Sequence, residues 1–120
     1  MGENIILVVD DSKEIRDSLS DILRDEGYAI LEADNGMKAI SICRQNDIKI
    51  VLLDISMPSL DGITVLKEIK KINKDIRVII ISSYSNYVAE ALREGAESFI
   101  EKPVSINEVL NAVKGNVLKN

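Results

Sequence analysis

With 120 residues, 46% of them apolar and 29% charged, the chain has the size of one self-folding domain, leaves no room for a second, and is not composed like a disordered segment. Its 15 basic residues against 20 acidic ones leave a net charge of -5, with no Lys or Arg run for a phosphate backbone to follow, so direct nucleic-acid binding is not expected. There is no histidine and only one cysteine, Cys43, which excludes Ser-His-Asp and Cys-His catalysis, a phosphohistidine, the usual zinc ligand sets and an intrachain disulfide.

The first apolar run, Ile5 to Val9, follows a start too short and too acidic for a signal peptide, and Ile6 stands where a myristoylation site needs Ser or Thr. No apolar stretch approaches the length of a membrane span, so the expectation is a cytoplasmic protein without membrane contact. Ile15, Leu19, Ile22 and Leu23 then recur at helical spacing, and Gly27 is placed to end that helix. A second run, Tyr28 to Leu31, precedes a shorter helix over Gly36 to Arg44, with Cys43 on its apolar side. The third run is Ile48 to Leu53, and Ile63, Leu66, Ile69 and Ile72 mark the helix after it. A fourth run, Ile76 to Ile81, leads to a short helix from Asn86 to Glu94 that Gly95 closes. The fifth run is Ser98 to Ile100, followed by a helix carrying Ile106, Val109, Leu110, Val113 and Val117. Strands that alternate with helices, several of them Ile- and Val-rich without internal alternation, predict an α/β fold: a parallel, doubly wound sheet with helices on both faces. No linker or repeat divides residues 1–120, which are read as one domain.

The runs end at polar residues that folding alone does not call for. The first ends at Asp10-Asp11, the third at Asp54, the fourth at Ser82-Ser83, and the fifth passes through Glu101 to Lys102-Pro103. In a parallel sheet these ends share one edge, where ligands of doubly wound folds bind. Any one Asp could be a solvated helix cap. Three gathered carboxylates, however, repel one another unless a cation is present, and hard oxygen ligands on a small site suit Mg²⁺. Asp54, anchored by the apolar Ile50 to Leu53, is ionised at neutral pH and can attack phosphorus without a general base. Mg²⁺ and Lys102 would neutralise the transferring oxygens, and Ser82 can donate a hydrogen bond to the same group.

Asp10-Asp11, the run from Asp54 through Ser56, Met57-Pro58 and Asp61-Gly62, Ser82 and Lys102-Pro103 stand in an order that resembles the receiver domains of two-component response regulators, of the stand-alone chemotaxis or sporulation-phosphorelay type. The resemblance covers nearly the whole chain. It implies a flavodoxin-like sheet of strand order 2-1-3-4-5, with Asp54 as phosphoacceptor assisted by Lys102 and Ser82. It also implies Mg²⁺ held by the side chains of Asp11 and Asp54, by Asp10 through water, and by the backbone carbonyl of Ser56. Met57-Pro58 and Asp61-Gly62 are expected to act as turn residues. Family receivers signal by moving the hydroxyl residue toward the phosphoryl group while an aromatic residue of the fifth strand turns inward, and Ser82 and Phe99 hold those positions.

Four positions depart from the commonest pattern: Ser82 in place of Thr, Ser83 in place of Ala, Phe99 without the hydroxyl of Tyr, and Val104 where Phe is frequent. They leave the chemistry possible and bear on phosphoryl lifetime and partner. The expected donors are a sensor histidine kinase or a histidine phosphotransfer protein, with output through a downstream protein target. Docking is expected around the start of the first helix, at Ser12, Ile15 and Ser18, and at Pro103 and Val104. The chain is expected to catalyse only its own phosphorylation and dephosphorylation. Against a Mg²⁺-dependent aspartyl-phosphate hydrolase stand the lack of a cap and Ser56 where a second Asp would be needed. A flavodoxin-like cofactor binder would not open its first loop with two phosphate-repelling aspartates. A degenerate receiver acting only as a binding module would not keep the full set of Asp10, Asp11, Asp54, Ser82 and Lys102.

Overall fold

The computed structural model describes residues 4–56, 62–83 and 87–115. Along the chain run β1 (Ile5–Val9), α1 (Lys13–Asp25), β2 (Ala29–Ala33), α2 (Gly36–Gln45), β3 (Ile48–Asp54), α3 (Gly62–Ile72), β4 (Arg77–Ser82), α4 (Val88–Arg93), β5 (Ser98–Glu101) and α5 (Ile106–Lys114). The strands form one sheet in the order β2-β1-β3-β4-β5, and every pairing is parallel. This is the expected architecture and strand order.

The apolar runs lack polar alternation because both faces of the sheet are covered. Leu7, Val9, Val51, Leu53, Val78 and Ile80 pack on one side with α2, α3 and Ala91 of α4. Their neighbours Ile6, Val8, Ile50, Leu52, Ile79 and Ile81 pack on the other side with Leu19 and Leu23 of α1 and Val109 and Val113 of α5. Successive strand residues point to opposite faces, so the stretch of a strand covered on both sides is apolar at consecutive positions, as from Ile50 to Leu53 in β3. Cys43 belongs to the α2 layer, where burial pushes its thiol up to about 11. It is a packing residue, as expected.

Helix boundaries follow local chemistry. Ser12, Asn35 and Ser105 cap α1, α2 and α5 by accepting from the amides of Ile15, Lys38 and Glu108. Gly27 and Gly95 follow α1 and α4 at φ of 95° and 110°, the left-handed region in which a chain leaves a helix at least cost without a side chain. At Gly62 the demand is for space: a Cβ there would fall 2.5 Å from the Cα of Ile55, so α3 starts against the loop that follows β3.

The main shift from expectation is β2, which extends to Ala33 rather than ending at Leu31 and leaves Tyr28 outside. It carries Glu32 inside the strand, and Arg16 and Ser20 of α1 satisfy that carboxylate. Residues Met57, Pro58, Asp61, Asn86 and Val117, expected at turns and helix ends, lie outside the described residues. Among the described residues no helix is long and apolar enough to cross a membrane.

Candidate phosphoryl and metal site

The sheet reverses its winding between β1 and β3, with β2 to one side and β4 and β5 to the other. Val9 lies level with Leu53, Asp54 with Ile81, and Ser82 with Glu101. This register places Asp10 beside Asp54 at the carboxyl edge, with Ser82 and Lys102 following on the next two strands. Asp10 and Asp54 are each 2% exposed and Ser82 is 1% exposed, whereas Asp11 is open to solvent.

Oxygen atoms from Asp10, Asp11 and Asp54 lie within 4.8 Å of one another, close enough to share one cation. The donor set is all oxygen, with two carboxylates sunk in the protein and one at the mouth, which fits a hard divalent ion such as Mg²⁺. Burial raises the pKa of Asp10; the Ser12 amide at 2.9 Å works against this, the charge of Asp54 adds to it, and Lys102 offsets part of it, leaving the carboxyl above its ordinary range. A bound cation would relieve that strain on the charged form.

Lys102 is the ammonium of the site. Its Nζ stands 3.1 Å from Asp54 Oδ2 and 3.3 Å from Asp10 Oδ2, and its amide donates to the Ser82 carbonyl at 2.9 Å. Burial opposes its charge, but the hydrogen bond and charge of Asp54, then those of Asp10, outweigh it and hold its pKa above the usual lysine value. The Lys102–Pro103 peptide bond is cis. The amide and hydroxyl of Ser56 both donate to the other Asp54 oxygen, Oδ1, at 2.9 and 2.5 Å. Asp54 is thus held from both sides, and its base is locked in β3.

The structure therefore gathers Asp10, Asp11, Asp54, Ser82 and Lys102 on one edge, as the strand ends suggested, and sets Ser56, named only by the family resemblance, against Asp54. Phe99 lies in β5 level with Ile80 and is partly buried against the α2–α3 side of the core. Ile15 and Val104 are partly buried together on the other side, and with Ser18 and Pro103 they line a groove of about 460 Å³ between α1 and the segment leading into α5. Sequence reasoning assigned only the carbonyl of Ser56 and missed its hydroxyl. It also missed Arg16 and Glu32, although a charge set directly after Ile30 and Leu31 was a visible signal.

A family model described as the response regulator receiver domain matches residues 6–114. Sporulation initiation phosphotransferase F of Bacillus subtilis (strain 168) is 40% identical over 111 residues, covering 91% of this chain and 90% of its own length. The chemotaxis protein CheY of the same organism is 40% identical over 111 residues, covering 90% and 92%. Among solved structures, the CheX-CheY-BeF3-Mg+2 complex from Borrelia burgdorferi contains a chain that superposes with a TM-score of 0.87 at 37% identity, over 97% of this chain and 90% of that one.

Proposed function

This chain belongs to the response regulator receiver family, and on that premise we propose that Asp54 accepts a phosphoryl group from the phosphohistidine of a sensor kinase or phosphotransfer protein. The observation that carries the assignment is the convergence at one sheet edge of three carboxylates within 4.8 Å and the Lys102 ammonium 3.1 Å from Asp54. A carboxylate oxygen of Asp54 forms a bond to phosphorus as the bond from phosphorus to the donor imidazole nitrogen breaks, giving an acyl phosphate. Asp10, Asp11, Asp54 and the Ser56 carbonyl would hold Mg²⁺, which when bound supplies positive charge to the transferring oxygens. Lys102, already within reach of Asp54, neutralises further charge, and Ser82 is the hydroxyl that approaches the phosphoryl group.

Ser82 and Phe99 are assigned as the switch, and the α1 groove with Ile15, Ser18, Pro103 and Val104 as the docking surface for the histidine donor. The readout is a protein partner, and the location is cytoplasmic. Family membership favours this reading over an aspartyl-phosphate hydrolase. Acetyl phosphate with Mg²⁺ is expected to add one base-labile phosphoryl group to the wild-type protein and none to Asp54→Asn, measured by intact mass. Equal labelling of the variant would overturn the assignment.

A further inference from the structure

Arg16 lies outside the carboxylate cluster, yet it is tied to it. Its side chain is only 14% exposed, and Nη1 donates to the backbone carbonyl of Asp10 at 2.9 Å. Nε faces Glu32 Oε1 at 3.3 Å, while Ser20 Oγ donates to Glu32 Oε2 at 3.0 Å and Arg24 stands 3.7 Å from the same oxygen. One guanidinium thus joins α1, β2 and the first residue beyond β1. The Asp10 carbonyl belongs to the same planar peptide unit as the Asp11 amide, so fixing its direction fixes the step from the buried carboxylate to the exposed one.

We propose that Arg16 is a positioning residue for the cation site: it locks the Asp10–Asp11 peptide so that both carboxylates face Asp54, and Glu32 and Ser20 hold it in that role. A fixed fork of donors suits the task, because the planar guanidinium holds a carbonyl and a carboxylate in a set relative direction, which the freely rotating donors of a lysine ammonium do not. The proposal rests on the metal reading of the site. Its sign separates it from simple electrostatics. Repulsion between a guanidinium and a divalent cation means that removing Arg16 would by charge alone tighten Mg²⁺ binding, whereas loss of positioning weakens it.

The experiment measures Mg²⁺ affinity by calorimetric titration at a temperature where each protein is folded. Arg16→Met is expected to bind about tenfold more weakly, the scale set by groups that orient metal ligands. Arg16→Lys, which keeps the positive charge but loses the fork that bridges the Asp10 carbonyl and Glu32, should weaken binding in the same direction by less, and it serves if Arg16→Met does not fold. Arg77→Met, which removes a comparable ion pair at the opposite end of the sheet, should leave affinity unchanged. Unchanged or tighter binding by Arg16→Met, or equal weakening by Arg77→Met, would overturn the proposal. A second arm needs no metal: hydrogen exchange of the Ser12 amide, which bonds to Asp10 Oδ1, should quicken in Arg16→Met but not in Arg77→Met. A wild-type protein that binds no Mg²⁺ would refute the metal reading itself, while unaltered exchange would refute the hold of Arg16 on Asp10.

Discussion

Asp10 sits in a place that disfavours its own charge. Burial is the largest influence and raises its pKa; the Ser12 amide lowers it, Asp54 raises it, and Lys102 lowers it, with the balance above the ordinary 3.8. A carboxyl that holds its proton more tightly in the folded state subtracts stability above the folded pKa and subtracts none below the unfolded one. In metal-free protein Asp10→Asn is therefore expected to melt higher than wild type at neutral pH, with the gain fading as the pH falls to 3.8 and below. Millimolar Mg²⁺ should raise the melting temperature of wild type more than that of the variant, because a ligand stabilises the fold to which it binds. Thermal scans that place the variant at or below wild type throughout would refute this account of the site.

The elements are fastened to one another by a few polar clamps, and the clearest lies far from the carboxylates. Arg77 at the start of β4 meets both oxygens of Glu97 at 2.8 and 2.6 Å, and donates to the carbonyls of Val113 and Ala112 at 2.9 and 2.8 Å. Those carbonyls lie in the last turn of α5, where intrahelical partners run out. The hydrogen bond from Arg77 is the main reason that the Glu97 pKa is depressed. A depressed carboxylate contributes stability above its unfolded pKa and loses it as pH falls through the folded one. Because Glu97 is about one-third exposed, the contribution is screened, and Glu97→Gln is expected to lose less than about 1 kcal/mol at neutral pH. In urea unfolding the difference should vanish once the medium is acid enough to protonate Glu97; a loss that persists there would show that its charge is not the cause.

At the scale of the whole molecule, the groove between α1 and the start of α5 opens beside the site, with Lys102 contributing to both. A histidine donor must bring its phosphoryl group in line with Asp54, whereas acetyl phosphate needs no docking. Ile15→Ala and Val104→Ala are therefore expected to slow transfer from a histidine donor several-fold, the loss of an apolar anchor being worth about 1 kcal/mol or more. Labelling by acetyl phosphate should hardly change. Rapid-quench rates that fall equally for both donors would assign the two residues to the fold, where their partial burial in the α1–α5 layer already gives them a part.

Much of this is legible in the amino-acid sequence. Two-sided burial leaves an uninterrupted apolar run, so the positions of the five strands could be read directly, and parallel strands necessarily bring Asp10, Asp54, Ser82 and Lys102 to one edge. The polar residues that end those runs carried the site. What the sequence could not decide were particular contacts: the local one of the Ser56 hydroxyl on Asp54 and, between elements apart in the chain, the pairing of Glu32 with Arg16 and the fork of Arg77 on α5. Periodicity reports which face a residue occupies and not which partner meets it there, so a lone charge such as Glu32 ended the expected strand early. Tertiary structure supplied its counter-charge and let β2 continue to Ala33, because a carboxylate that is paired and hydrogen-bonded can be sheltered from water at small cost, while an unpaired one cannot.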